Sequence, residues 1–340
     1  MKEFDRYHKQ MLFKPIGEHG QALLGEKHVL IIGCGALGSS IAEMLTRAGI
    51  GKLTLIDRDY VEISNLQRQH LFTEADVQKK LPKVIAAQSA LNSINAEVTI
   101  EAHVMDGNAN TLPNLVNNVD LIMDATDNFD TRFLINDIAQ KHSIPWIFGA
   151  CVASSGLSFT IIPEKTPCLD CLIKVAPMFG GATCDAVGGV ISPAVQMVVA
   201  HQVTEALKIL VGGAEGNLRS TLVIFDLWHN QYQMIDVSKA KAKDCKSCGT
   251  DASYPALTYK NSTKTEILCG RDTVQIRGKK FELTMLAKQL ERFGEVNQNP
   301  FLVSVQTKAH RIVFFQDGRT FIHGTNSIKE AKKIYYQMVG

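Results

Sequence analysis

Four cysteines in two Cys-x-x-Cys pairs, and one glycine-rich loop upstream of them, carry most of the chemistry written into this chain. Cys168 and Cys171 stand in TPCLDC, Cys245 and Cys248 in DCKSCG, and Gly33, Gly35 and Gly38 in GCGALG. Two thiolate pairs supply the four soft ligands of a tetrahedral zinc site with no open position, which is structural rather than catalytic. Because the pairs are far apart in the chain, such a site would clip a late segment onto an earlier one. A redox Cys-x-x-Cys is the alternative for either pair taken alone. The glycines follow an apolar run and open a helical pattern, so the backbone can approach a phosphate at a helix N-terminus. Asp57 closes the next apolar run, where a carboxylate accepts ribose hydroxyls. These features read as a nucleotide site and do not separate NAD from ATP. A tight strand–helix turn without ligand is the bland alternative.

Three further groups bear on the choice of nucleotide. Asn65, Arg68 and Lys83 follow Asp57. Hydride transfer needs no Arg and Lys here, whereas a triphosphate does, since charge develops on the leaving pyrophosphate. A solvated helix face accounts for them equally well. Asp124 and Asp127, in DATDN, fall at the carboxyl end of a strand, where open α/β sheets bind ligands and a carboxylate can hold Mg²⁺. Asp127 can instead cap the following helix. Cys184 lies alone in KVAPMFGGATCDAVGGV between glycines and Asp185, a context for an accessible nucleophilic thiol as well as for an inert one. Cys34, Cys151 and Cys269 sit in strand contexts and read as packing residues.

The elements that must position these groups follow from periodicity. Short apolar runs at 28–33, 52–57, 97–105, 119–126 and 145–149 alternate with helical patterns at 37–48, 76–94 and 131–142. Pro82 interrupts the second helix near its start. The alternation predicts an α/β fold: a Rossmann-like, doubly wound, mostly parallel sheet. Runs at 157–163, 220–228 and 231–237 extend it with hairpin-linked antiparallel strands, and 195–211 is an apolar helix broken by His201, Glu205 and Lys208. Residues 1–250 form the main domain with the cysteine site. Residues 254–340 restart as a small α/β unit with a hairpin at Asp317-Gly318 and a loop at Asn297–Pro300. The 340 residues carry eight cysteines and a net charge of +2, with 45% hydrophobic residues. That balance gives no bulk attraction to nucleic acid or an anionic membrane. MKEFDRYHKQ is polar and no apolar run has membrane-spanning length, so a reducing, cytoplasmic setting is expected, where paired cysteines hold metal.

Taken together, RYHKQMLF, GCGALG, IDRDYVEISNLQRQ, LPKV, DATDN, PCLDC, ATCDAVGGV and CKSC, in this order, resemble the MoeB/ThiF family, relatives of the ubiquitin-activating enzymes. The resemblance spans about residues 4–250. It implies adenylation, with ATP and Mg²⁺, of the C-terminal Gly-Gly carboxylate of a ubiquitin-like sulfur-carrier protein, for molybdopterin (preferred here) or thiamine thiazole synthesis. By that resemblance Asp57 holds the ribose. Ser64, Asn65, Gln67, Arg68 and Lys83 line the phosphates, and Asp127 with Asn128 orients metal and nucleotide. Cys184 is a candidate in sulfur transfer from a donor such as a cysteine desulfurase. The family commonly has arginine at the position of Lys9, reaching the partner subunit's ATP site, so a homodimer is implied. Lysine keeps the charge without the planar fork. Ala36 replaces a common glycine, which is tolerated where φ stays negative. Residues 254–340 lack a convincing rhodanese loop. Competing readings are an NAD-dependent oxidoreductase, a carrier-binding scaffold without turnover, and activation of a peptide or amino-acid carboxylate.

Overall fold

A central sheet of eight strands places the glycine loop at the point where strand order reverses. The computed structural model describes residues 5–174, 189–212, 218–258, 265–267 and 272–339. Two short helices, α1 (His8–Met11) and α2 (Gly17–Glu26), lead into β1 (His28–Ile32), α3 (Ala36–Ala48) and β2 (Lys52–Asp57). Helices α4 (Glu74–Gln78) and α5 (Lys83–Ile94) precede β3 (Thr99–Val104), followed by β4 (Leu121–Asp124), α6 (Phe129–Lys141) and β5 (Trp146–Val152). Next come β6 (Ser155–Ile161), α7 (Leu169–Ile173), α8 (Ser192–Leu210), β7 (Thr221–Asp226), β8 (Gln231–Asp236) and α9 (Pro255–Thr258). The sheet order is β3-β2-β1-β4-β5-β6-β7-β8. The first five strands are parallel and the last three add antiparallel. This is the α/β sheet with antiparallel extension that the periodicity implies.

Each sheet face is closed by its own apolar layer, because buried parallel strands present side chains to both sides. Ile41 and Leu45 of α3, Val84 and Leu91 of α5 and Val195 and Val199 of α8 cover one face. Leu134, Ile135 and Ile138 of α6 and Leu169 and Leu172 of α7 cover the other. The helix expected over 76–94 is two helices. Pro82 has no N–H to give, and its ψ of 140° is extended, so α5 starts afresh at Lys83. Lys80 between them has φ +49°.

The chain divides into two compact units, the second beginning at Asn261. Its strands are β9 (Thr265–Ile267), β10 (Thr273–Arg277), β11 (Glu295–Gln298), β12 (Leu302–Gln306), β13 (Arg311–Phe315) and β14 (Arg319–His323), with helices α10 (Leu283–Leu290) and α11 (Ile328–Val339). The sheet is antiparallel in the order β11-β12-β13-β14-β10-β9. Alternate residues Val274, Ile276, Val303, Val305, Ile312 and Phe314 pack against Leu286 and Leu290 of α10 and Tyr335 and Met338 of α11. Gly318, with φ +93°, turns the β13–β14 hairpin. Asn297 and Gln298, expected in a loop, instead pair with Ser304 and Val303, and the turn is held by Asn299, whose carboxamide oxygen accepts from Phe301 and Leu302 N–H. Among the described residues no helix is long and apolar enough to cross a membrane.

Candidate nucleotide site and cysteine cluster

The glycine loop leaves β1 and is compressed between the sheet and α3. Gly33 has φ +94°, and a Cβ there would lie 2.5 Å from the Ala125 carbonyl oxygen. A Cβ on Gly38 would lie 1.9 Å from the Gly33 carbonyl oxygen, so α3 can approach the loop only because that residue is glycine. Gly35 differs: its open side meets nothing nearer than Gln69 Nε2 at 3.9 Å. The first two glycine contacts fold the loop, and the third leaves room above it. Ala36 is the first residue of α3, where helical φ suits alanine.

At the end of β2, Asp57 receives the Cys34 N–H on one carboxylate oxygen and the Asp59 N–H on the other, both at 2.7 Å. Burial pushes its carboxyl up from the ordinary value, against the pull of the Lys83 ammonium and these two donors. Lys83 is buried at the first position of α5, its Nζ 3.2 Å from Asp59 Oδ2. A cation at a helix N-terminus opposes the helix dipole, so the Asp59 and Asp57 carboxylates offset an otherwise unfavourable placement. Between β2 and α4, Asn65 is buried and its Oδ1 accepts the Glu62 N–H, fixing a short helical turn. Arg68 is half-buried and donates to the Ser64 carbonyl. Ser64 and Gln67 are exposed.

Across the loop, β4 ends in Asp124, wholly buried and paired with Arg132 Nε at 3.1 Å. Thr126 adds a hydroxyl and an N–H to the same carboxylate. Burial raises the Asp124 carboxyl from its usual range, opposed by Arg132 and then Thr126. Asn128, not Asp127, caps α6: its Oδ1 accepts the Thr131 N–H at 2.9 Å. Asp127 is exposed beside Asn128, with the helix end already satisfied by its neighbour.

The two cysteine pairs meet. One ligand atom from each of Cys168, Cys171, Cys245 and Cys248 falls within 4.8 Å of all the others, and the Cys168–Cys245 and Cys171–Cys248 sulfurs are 3.6 Å apart. Zn–S bonds of about 2.3 Å in a tetrahedron require sulfurs about 3.8 Å apart, so the cluster fits a metal ion. Ala242 and Ser247 N–H groups point at Cys171 and Cys245 Sγ. Burial pushes the Cys245 thiol up to about 12. A bound dication reverses that by taking the thiolate.

The N-terminal segment lies away from the loop. Tyr7 packs on Gly49, and Gln10 donates to the Ala48 carbonyl, both at the C-terminal end of α3. Arg6 donates to Ile94 O, and Lys9 is exposed between these anchors. The glycine loop is at the other end of this 13-residue helix, roughly 20 Å away at 1.5 Å per residue. Cys184 and Cys269 lie outside the described residues.

The chain matches the sequence model of the ThiF family over residues 7–247. It belongs to the ThiF family. The sulfur carrier protein ThiS adenylyltransferase of Bacillus subtilis is 50% identical over 340 residues, covering 98% of this chain and 99% of that protein. A sulfur carrier protein adenylyltransferase of Thermus thermophilus is 32% identical over 274 residues, 79% of this chain and 97% of that one. The enzyme class is adenylyltransferase, which removes the oxidoreductase and scaffold readings. The crystal structure of E. coli MccB with ATP superposes with a TM-score of 0.61 at 23% identity, over 72% of this chain and 75% of that chain, a likeness of fold.

Three residues of this ThiF-family site escaped the sequence reading. Gln69 is buried with its amide facing Gly35, and its Oε1 has no hydrogen-bond partner among the described residues. Arg132 supports Asp124 and also donates to the Thr126 and Gly149 carbonyls. Gln202 of α8 donates to the Asp124 and Ile147 carbonyls, filling the gap where β4 and β5 separate after two paired residues. Gln69 stands inside SNLQRQ, but no local pattern distinguishes it from the exposed Gln67. Arg132 and Gln202 show in sequence only as polar residues on otherwise apolar helix faces.

Proposed function

We propose that this chain adenylates the C-terminal Gly-Gly carboxylate of a small ubiquitin-like sulfur-carrier protein, using ATP. The convergence at one sheet end of an open glycine loop, the Asp57 carboxylate, buried Lys83 and exposed Asp127 carries this reading. In it Asp57 takes the ribose hydroxyls, since two lone-pair positions remain after its backbone bonds. Asn65, Arg68 and Lys83, flanked by Ser64 and Gln67, face the phosphates. A carrier carboxylate oxygen bonds the α-phosphorus, the bond from that phosphorus to the bridging oxygen breaks, and pyrophosphate leaves with its charge balanced by Arg68 and Lys83. No protein nucleophile is needed: the work is positioning and charge neutralisation. Asp127, with Asn128 beside it, offers the single hard carboxylate that suits Mg²⁺ bound mainly by phosphates. The ion, when bound, neutralises phosphate charge.

Lys9 completes a site in trans. It is held at the far end of α3 from its own loop, so the phosphates it serves belong to a second copy in a two-fold homodimer. The four cysteines hold a structural zinc. Cys184 receives sulfur downstream, with a desulfurase-type donor.

For the carrier, the ThiS type is preferred over the molybdopterin type expected from the sequence. The relative named for ThiS matches along the whole chain, including residues beyond 261, which lie outside the ThiF-family match. ATP–pyrophosphate exchange with Mg²⁺ tests this, using purified ThiS-type and molybdopterin-type carriers ending in Gly-Gly. Exchange that depends on the ThiS-type carrier supports the reading. Faster exchange with the other reverses the pathway, and no exchange with either from folded, zinc-replete protein refutes carrier adenylation.

A further inference from the structure

Two adjacent polar residues in the middle of α6 have no part in the reading above. Asn136 and Asp137 are 0% and 1% exposed, between the apolar Leu134, Ile135, Ile138 and Ala139. Asparagine and aspartate are weak helix formers, and burying them is costly unless they are bonded. Each has one oxygen bonded to backbone, at the first knuckle for Asn136 and beyond the second for Asp137, while Asn136 Nδ2 and Asp137 Oδ1 have no hydrogen-bond partner among the described residues. Asn136 Oδ1 accepts the N–H of Leu169, the residue after Cys168, at 2.9 Å. Asp137 Oδ2 accepts the N–H of Ala256, just beyond the second knuckle, at 2.8 Å. Burial raises the Asp137 carboxyl, opposed first by the hydroxyl of Ser247, which is buried between Cys245 and Cys248. Leu169 opens α7, so its N–H is one of those a helix leaves without an internal partner.

We propose that Asn136 and Asp137 are a polar clamp that holds the two knuckles in register and thereby sets the metal affinity of the four-thiol cluster. This rests on the reading of the cluster as a zinc site. Each residue fixes one half, so the four sulfurs are brought to ligand spacing before metal arrives. Partners outside the ligand shell commonly govern metal affinity in this way. The clamp also ties the cluster to the helix whose N-terminal turn carries Asn128, beside Asp127, roughly 12 Å along the axis at 1.5 Å per residue.

The test is metal affinity of the full chain, measured by chelator competition with zinc and by titration with cobalt(II), whose thiolate absorption reports four-sulfur ligation. Asn136→Leu and Asp137→Leu keep the volume and remove the acceptor. They are expected to weaken zinc binding roughly 10- to 100-fold. Asn136→Asp and Asp137→Asn each keep an acceptor and are expected to stay near wild type. Ile138→Val, a trim on the same helix, reports the effect of helix packing alone. If a leucine variant is insoluble, Asn136→Ser, too short to reach Leu169, takes its place. Leucine variants that bind zinc like wild type, or no more weakly than Ile138→Val, overturn the clamp. A wild-type chain that takes up no zinc overturns the zinc reading, and the clamp with it.

Discussion

Replacing Lys83 with methionine removes a buried cation while leaving most of the side-chain volume in place. Lys83 is 4% exposed and its ammonium lies 3.2 Å from Asp59, close enough also to act on Asp57. Solvent cannot substitute for it, so the two carboxylates at the end of β2 lose the ammonium that lies beside them. Removing one partner of a buried ion pair costs about 3–5 kcal/mol, and a loss in that range is expected for Lys83→Met. The sign of its pH dependence follows from Asp57. The folded-state pKa of that group is already raised by burial, so its contribution to stability is full in acid and is lost as pH rises through the folded value. Without Lys83 the folded value rises further. The deficit of the variant is therefore largest in mildly alkaline buffer and shrinks in acid, where Asp57 takes a proton. Urea denaturation of wild type, Lys83→Met, Asp59→Asn and the double variant at both pH conditions measures this. The double variant should recover much of the lost stability, while pyrophosphate exchange stays low because the phosphates have lost one of their two cations. A Lys83→Met protein as stable as wild type would falsify the argument, as would a double variant no more stable than the single one.

The glycines separate by role. Gly38→Ala forces a Cβ against the Gly33 carbonyl and should cost about 1–3 kcal/mol by overpacking. Gly35→Ala meets no atom nearer than 3.9 Å, so thermal melts should show a smaller loss while nucleotide affinity falls; equal melting losses would contradict the assignment. Because Asn128 and not Asp127 caps α6, Asn128→Ala should cost about 1 kcal/mol. Asp127→Asn should leave the melting temperature unchanged and abolish exchange, and a matching drop in stability would return Asp127 to a structural role. Lys9→Ala should lower exchange in a dimer of identical variants. Mixed with Asp127→Asn chains, it should regain activity, since each mixed dimer assembles one intact site; no regain on mixing rules out action in trans.

The sequence by itself determined the elements and their order. Short apolar runs become strands, β2 at the expected residues 52–57, because a buried parallel strand must be apolar on both faces. The glycine loop was legible for the same local reason: Gly33 and Gly38 lie where only hydrogen fits. The motifs also marked which cysteines pair, through their spacing, before their sulfurs were seen to converge. Other features depended on residues distant in the chain. In sequence Lys83 reads equally as a phosphate cation or a solvated surface lysine until Asp57 and Asp59 close over it. Asp127 stands open in sequence between a metal-orienting carboxylate and a helix cap until Asn128 is seen to take the cap. Gln69 and Gln67 are indistinguishable in SNLQRQ until one is buried and the other is not. Asn136 and Asp137 read as defects in an apolar helix face until the N–H groups of Leu169 and Ala256 arrive beside them. The physical division is that burial and hydrogen-bond partnership of a polar side chain are set by segments remote in sequence, whereas periodicity and backbone freedom belong to the residue and its immediate neighbours.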